Sequence, residues 1–114
     1  MDQKLKTWEV NFFQNSRGDY PVQDFIKEQD KATYTKILHV MLLLKNNGPL
    51  LIPPYNKKLQ AKLYELRISG KIAVRIFYTM QNNEYYLLHA FKKKTQKTPI
   101  KELKIALDRM KDLV

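Results

Sequence analysis

Residues 62–91 read KLYELRISGKIAVRIFYTMQNNEYYLLHAF, and this stretch decides the fold. It contains three runs rich in β-branched, aromatic and other apolar residues, at 62–69, 72–79 and 84–91. The first two runs are separated by Gly70-Lys71, and the last two by Gln81-Asn82-Asn83. Connections this short predict three consecutive antiparallel strands.

Alternation of apolar residues determines how the first two of these strands pair. Leu66 lies on the apolar face of the first strand, and Ile76 on the apolar face of the second. Pairing Leu66 with Ile76 brings both apolar faces to one core, whereas a slip by one residue would bury an arginine. The same register pairs Ile68 with Val74. It also places Arg67 directly opposite Arg75.

Two arginines in opposed positions repel each other on an empty sheet. Either nearby Glu65 or an anionic ligand must offset this repulsion. The alternative is that Arg67 and Arg75 extend into solvent and cover apolar surface with their aliphatic stems.

The position of the third strand depends on the turn that precedes it. A two-residue turn at Asn82-Asn83 places Arg75 opposite Ala90, with Lys92 diagonally beside it and His89 facing the core. A three-residue turn exchanges the faces and brings His89 beside Arg75. Both registers stay open because residues 84–91 are apolar on both faces.

The residues before these three strands predict one further strand and a helical hairpin. Residues 7–13 (TWEVNFF) alternate as in a strand. Pro21 suits a first helical turn, and helical spacing of apolar residues follows it. Asp30 is placed to cap a second helix, which ends at the stop signal of residues 46–49 (NNGP).

The residues after the three strands predict a final helix. Thr98 is the expected N-cap, and Pro99 the expected first helical residue. The apolar stripe of this helix consists of Ile100, Leu103, Leu107 and Met110. The predicted order is therefore β-α-α-β-β-β-α, a small α+β fold with an antiparallel sheet packed by helices on one face. A chain of 114 residues predicts a single domain over 1–114.

Composition excludes several classes of protein. The chain contains no cysteine, which excludes disulfide scaffolds and thiol nucleophiles. Its two histidines, His39 and His89, lie far apart in the sequence, so no metal site and no cofactor are expected. No apolar stretch is long enough for a membrane span, and no signal peptide is apparent. These features predict a cytoplasmic protein.

Positive charge is concentrated in the middle of the chain. The formal net charge is +10, and residues 57–97 hold ten basic residues against two acidic ones, a net +8. Such a local excess indicates an anionic partner, with nucleic acid the first choice. The alternative is a lysine-rich surface that only keeps the protein soluble.

The motifs ELR (65–67), RIFY (75–78) and HAFKKKTQKTP (89–99), followed by an amphipathic helix, resemble the RelE/HigB family of toxins from bacterial type II toxin–antitoxin modules. The similarity is to the phage-derived HigB-like branch and covers nearly the whole chain. It implies a RelE/ParE-like fold and a ribosome-dependent endoribonuclease, an mRNA interferase that works without metal. The ribose 2′-hydroxyl attacks the adjacent phosphorus, and the 5′-oxygen leaves.

The resemblance also implies which residues act. Arg67 and Arg75 match the arginines of the family's sheet, and three lysines match its basic strand end. The implied catalytic set is Arg67, Arg75, Lys92, Lys93, Lys94 and His89. The implied RNA-binding set is Lys57, Lys58, Lys62, Lys71, Gln96 and Lys97.

The match to the family has one gap. Some members carry a catalytic tyrosine on or near the last helix, whereas residues 99–114 contain neither tyrosine nor histidine. The roles of general base and general acid must therefore fall to other residues than in those members, or His89 takes one of them.

The family context implies two partners, mRNA on the ribosome and a neutralising antitoxin of the HigA-like helix-turn-helix type. Two other functions compete with the nuclease. One is a ParE-like inhibitor of DNA gyrase on the same fold, and the other is an RNA-binding module without catalysis.

Overall fold

The computed structural model describes residues 6–113, in which five strands and three α-helices alternate much as the sequence predicts. The elements in chain order are β1 (Glu9–Phe12), α1 (Pro21–Lys27), α2 (Lys31–Asn47), β2 (Asn56–Gln60), β3 (Leu63–Ile68), β4 (Val74–Gln81), β5 (Glu84–Lys92) and α3 (Ile100–Asp112). The α+β class is confirmed. None of the helices between residues 6 and 113 is long and apolar enough to cross a membrane.

The sheet has the order β1-β5-β4-β3-β2 and is mixed, so the prediction of a purely antiparallel sheet is wrong. β1 runs parallel to β5, with Glu9 opposite Glu84 and Phe12 opposite Leu87. Parallel neighbours need a long crossover, and the helical hairpin supplies part of it. The other neighbouring pairs are antiparallel.

β2 is a strand that sequence patterns did not predict. Its sequence, NKKLQ, carries one apolar residue, Leu59, and lacks the alternation expected of a half-buried strand. It lies at the edge of the sheet, where charged residues are favoured because they discourage pairing with another chain.

The register of β3 and β4 is the predicted one. Leu66 lies opposite Ile76, and Arg67 lies opposite Arg75. Ile68 and Val74 form the last pair of this ladder. The two arginines therefore share one face of the sheet.

The connection between β4 and β5 is the two-residue turn at Asn82-Asn83. Both asparagines have positive φ, 54° and 64°, as a primed hairpin turn requires. The first pair of the ladder is Gln81 with Glu84. The shorter of the two predicted turns is thus the one present.

A β-bulge then changes the register within the same ladder. Tyr78 lies opposite Leu87, but Phe77 lies opposite His89, which leaves Leu88 as an extra residue in β5. Side chains beyond the bulge consequently lie on the opposite faces from those that the short turn alone predicts.

The bulge overturns three consequences of the short turn at the end of β5 and gives His89 the face that the longer turn predicted. Arg75 lies opposite Phe91 rather than Ala90. Lys92 lies opposite Val74, on the other face from Arg75. His89 lies on the same face as Phe77 and Arg75 and does not face the core beneath the helical hairpin.

Helices cover both faces of the sheet, so the expectation that they share one face is wrong. α1 and α2 pack on one face through a core that includes Val22, Ile37 and Leu66. α3 packs on the other face, where Ala106 joins a second core with Phe77 and others. The strands carry apolar residues on both faces, and each apolar face must be buried against a helix.

The ends of the helices follow the sequence in two places and depart from it in one. Asp30 caps α2 by accepting a 2.8 Å hydrogen bond from the Thr33 N–H, and Gly48, at φ 53°, ends that helix. A Cβ on Gly48 would lie 2.5 Å from the Trp8 ring, so only glycine fits. At α3, however, Pro99 rather than Thr98 occupies the N-cap.

Ile100 does not belong to the buried stripe of α3. It is 83% exposed, because it lies in the first turn of the helix and makes no contact with the second core. Leu103, Leu107 and Met110 pack against that core as predicted.

Candidate functional site

Charged side chains gather on the face of the sheet that α3 covers only in part. Beyond the apolar residues under α3, the same face carries Glu65, Arg67 and Arg75. Lys57 of β2 lies opposite Glu65, and Lys93 follows directly after β5. We call Lys57, Glu65, Arg67, Arg75 and Lys93 the arginine cluster. It sets four cations against one carboxylate.

Glu65 is the buried anion at the centre of the arginine cluster and is only 1% exposed. Its Oε1 lies 3.6 Å from Nε of Arg67 and 3.9 Å from Nε of Arg75. The repulsion between the opposed arginines is therefore offset in part by this carboxylate, which was one of the two predicted solutions. Each distance is too long for a strong hydrogen bond.

Two polar atoms of the arginine cluster lack partners. Within residues 6–113, neither Oε2 of Glu65 nor Nε of Arg75 has a hydrogen-bond partner. Nη1 of Arg75 donates only to the carbonyl of the adjacent Val74, at 3.0 Å. Buried polar groups without partners are rare, and they point to a bound water, a bound ion or a catalytic role. Three net positive charges and a free guanidinium donor favour an anion.

Burial and repulsion between cations lower the pKa of two members of the arginine cluster, Arg75 and Lys93. Burial is the main cause that lowers the pKa of Arg75, and Arg67 lowers it further. Burial likewise lowers the pKa of Lys93, helped chiefly by Arg75 and opposed by Glu65. An arginine stays charged at physiological pH regardless. Lys93 thus combines a lowered pKa with a side chain that, unlike that of arginine, can lose its proton.

Lys93 occupies the place that the sequence assigned to Lys92. The backbone N–H of Lys93 donates to the carbonyl of Ala73 at 2.9 Å, which continues the β4–β5 ladder by one residue. The bulge turns Lys92 toward the face of the helical hairpin, where its charge lowers the pKa of Asp30 after the larger effect of the hydrogen bonds from Thr33. The prediction that Lys92 accompanies Arg75 is therefore wrong.

His89 lies on the same face as Arg75 but is engaged by α3. Its Nε2 is 3.2 Å from a carboxylate oxygen of Glu102, and its Nδ1 is 3.3 Å from Nη1 of Arg109. Its ring stacks on Phe91, with centroids 5.8 Å apart. Phe91 is the residue opposite Arg75, so an aromatic ring separates the imidazole from the arginine cluster.

The remaining predicted residues are spread around the sheet. Lys58 lies opposite Tyr64, on the face away from Arg75, and Lys62 lies in the turn at the far end of β3 from Arg67. Lys71 is exposed in the turn between β3 and β4, near both arginines in sequence. The other predicted residues lie exposed on the segment between Lys93 and α3, and these are Lys94, Gln96 and Lys97.

The structure also shows features that the sequence did not assign. Arg109 donates a 2.9 Å hydrogen bond to the carbonyl of Leu88, the bulge residue, and so ties α3 to β5. The only sequence signal for this contact is an arginine next to the apolar stripe of α3.

Within residues 6–113, no three histidine, aspartate or glutamate side chains come together as metal ligands.

Comparison with known proteins places these elements in a family context. A family model described as "Phage derived protein Gp49-like (DUF891)" matches residues 24–111. The match begins within α1 and runs almost to the end of α3, so it includes every member of the arginine cluster. No curated protein matches the chain.

Proposed function

The chain belongs to the family of phage-derived Gp49-like proteins, and we propose that it is a toxin of a bacterial type II toxin–antitoxin module. In this proposal it is a metal-independent mRNA interferase of the RelE/HigB type that acts in the cytoplasm on ribosome-bound mRNA. The arginine cluster is the observation that supports this function. The family membership is consistent with a toxin in general.

Arg67 and Arg75 are arranged to hold a phosphodiester. They lie directly opposite each other on neighbouring strands, and guanidinium groups form paired, charge-assisted hydrogen bonds to phosphate. The free Nε of Arg75 is one donor for such a bond. When the 2′-oxygen attacks, charge builds up on the pentacoordinate phosphorus, and donors fixed beforehand stabilise it most.

The reaction needs two proton transfers and no net proton. The 2′-oxygen forms a bond to phosphorus while its proton is removed, and the bond from phosphorus to the 5′-oxygen breaks as that oxygen gains a proton. The products are a 2′,3′-cyclic phosphate and a 5′-hydroxyl. Lys93 is the group that we assign to proton transfer, because burial and its cationic neighbours lower its pKa while both arginines stay charged.

Other cationic residues are placed to guide the RNA backbone toward the arginine cluster. Lys57 belongs to the cluster, and Lys71 lies in the turn beside it. Lys94, Gln96 and Lys97 are exposed on the segment that follows Lys93. We propose that the ribosome presents the mRNA in the geometry that cleavage requires. The proposal also includes a cognate antitoxin, of the HigA-like helix-turn-helix type, that neutralises the protein.

A reconstituted translation reaction with one defined mRNA tests this function. We expect cleavage fragments whose downstream ends are 5′-hydroxyls, and far fewer fragments when ribosomes are omitted. An mRNA with 2′-deoxyribose at the cut position should stay intact there, because the nucleophile is missing. Intact mRNA together with inhibition of purified DNA gyrase would contradict the proposal and favour the ParE-like alternative.

A further inference from the structure

A cleft of about 250 Å³ opens between α2 and the free edge of β3, on the face of the sheet that the helical hairpin covers. It shares Arg67 with the arginine cluster, which lies on the other face of the sheet. β2 pairs with β3 only as far as Asn56 opposite Leu66. One more hydrogen bond follows, 2.8 Å from the Arg67 N–H to the Tyr55 carbonyl, and the chain then leads away through Pro53 and Pro54. The edge beyond Arg67 is consequently left uncovered by a strand.

The cleft combines an apolar floor with aromatic and polar walls. Val40 and Ile68 supply apolar surface, and the ring of Tyr55 is 37% exposed at the margin. Lys36 and His39 of α2 add polar nitrogen atoms. The volume is below the range of about 300–1,000 Å³ that accommodates drug-sized ligands, so the cleft suits one small ring system.

Charge distinguishes this cleft from two others on the described part of the chain. Its lining there includes Lys36 and Arg67 and no acidic side chain. The cleft next to His89, by contrast, is lined by three carboxylates, those of Asp19, Asp24 and Glu28. A larger cleft, beside Asn11 and Tyr86, has no charged lining residue among residues 6–113. Of these three clefts, the one at the β3 edge combines an aromatic residue, Tyr55, with a cation of the arginine cluster, Arg67.

We infer that this cleft holds one unpaired base of an RNA whose backbone passes around the edge of β3 and places a phosphate at the arginine cluster. Unpaired bases bind to proteins by stacking on aromatic rings and by hydrogen bonds along their edges. Tyr55 provides the ring, and His39 and Lys36 provide polar groups within the same cleft. Arg67 belongs to both the cleft and the cluster, so the two sites meet at the edge of β3. The inference rests on the proposed function and adds a determinant of base preference to it.

Binding of short 2′-O-methyl oligonucleotides tests the inference, since they lack the nucleophilic hydroxyl and stay uncut. One oligonucleotide carries all its bases, and the others each carry one abasic position. We expect one abasic position to weaken binding by about fivefold or more, the loss of one stacked base. Tyr55→Leu should weaken binding of the complete oligonucleotide by a similar factor. In this variant, removing the base at that position should cause no further loss of affinity. Tyr34→Leu is the matched control, because Tyr34 is 38% exposed on α2 and lies outside the cleft.

The outcomes separate the cleft from the phosphate site. Binding that depends on Arg75 but is the same for every abasic position overturns the inference and leaves the proposed phosphate site intact. An abasic effect that persists unchanged in Tyr55→Leu also overturns it. Arg75→Ala should weaken binding of the complete and abasic oligonucleotides by the same factor. Binding that is unaffected by Arg75→Ala contradicts the proposed function, and the inference falls with it.

Discussion

At the scale of single residues, the opposition of Arg67 and Arg75 follows from side-chain parity alone. Only one register brings the apolar residues of both strands to the same core, and this register is present. The burial of Glu65 could not be predicted in the same way. It depends on Lys57 and β2, which cover the strand from the side, and no pattern in NKKLQ signals a strand.

Glu65→Gln tests whether this carboxylate holds the opposed arginines together. Removing its charge leaves Arg75 buried without a counter-ion, so the free energy of unfolding should fall by roughly 3 kcal/mol. Low millimolar pyrophosphate should raise the melting temperature of this variant more than that of the wild type, because an anion can replace the lost charge. Thermal unfolding with and without pyrophosphate measures both effects.

Glu28→Gln is the control for this substitution, since Glu28 is exposed and lies outside the arginine cluster. Equal stability and equal pyrophosphate shifts in the two variants would show that Glu65 is not the counter-ion.

At the scale of elements, the bulge at Leu88 decides which side chains join the arginine cluster. The short Asn82-Asn83 turn was among the predicted alternatives, but the bulge was not, because residues 84–91 are apolar on both faces and tolerate either register. The bulge is held from α3, where Nη1 of Arg109 donates to the carbonyl of Leu88. A long-range contact of this kind leaves no periodic signal in the sequence.

The contact of α3 with His89 makes stability depend on pH. Burial lowers the pKa of His89 below its ordinary value of 6.5, more than Glu102 raises it, so the unfolded chain binds the proton more tightly. Stability should therefore be full above about pH 6.5 and fall as the pH drops toward the lowered pKa of the folded state. His89→Gln should lose this dependence, as measured by urea unfolding between pH 7.5 and 5.

His39→Gln is the matched control, because His39 lies exposed on α2 away from α3. A wild-type stability that does not change over this interval, or a loss that persists in His89→Gln, would contradict the role given to the α3 contact.

At the scale of the whole molecule, the topology of the sheet determines which basic residues come together. The middle of the chain carries a net +8, yet the fold brings only some of those residues together. Lys57, Arg67, Arg75 and Lys93 join at one end of the sheet, whereas Lys62 lies at the other end of β3 and Lys92 on the opposite face. Composition predicted an anionic partner, and strand parity located the arginines. The choice of Lys93 over Lys92 needed the three-dimensional structure.

The most direct test of the phosphate site is the rate at which ribosome-bound mRNA is cut by Arg75→Ala under single-turnover conditions. We expect a loss of about 100-fold or more, since a donor fixed to the reacting phosphate is removed. Arg17→Ala, which deletes an arginine whose side chain is 82% exposed outside the arginine cluster, should cut at the wild-type rate. Circular dichroism establishes that both variants are folded. Cleavage by folded Arg75→Ala at the wild-type rate would contradict the assignment of the arginine cluster as the catalytic site.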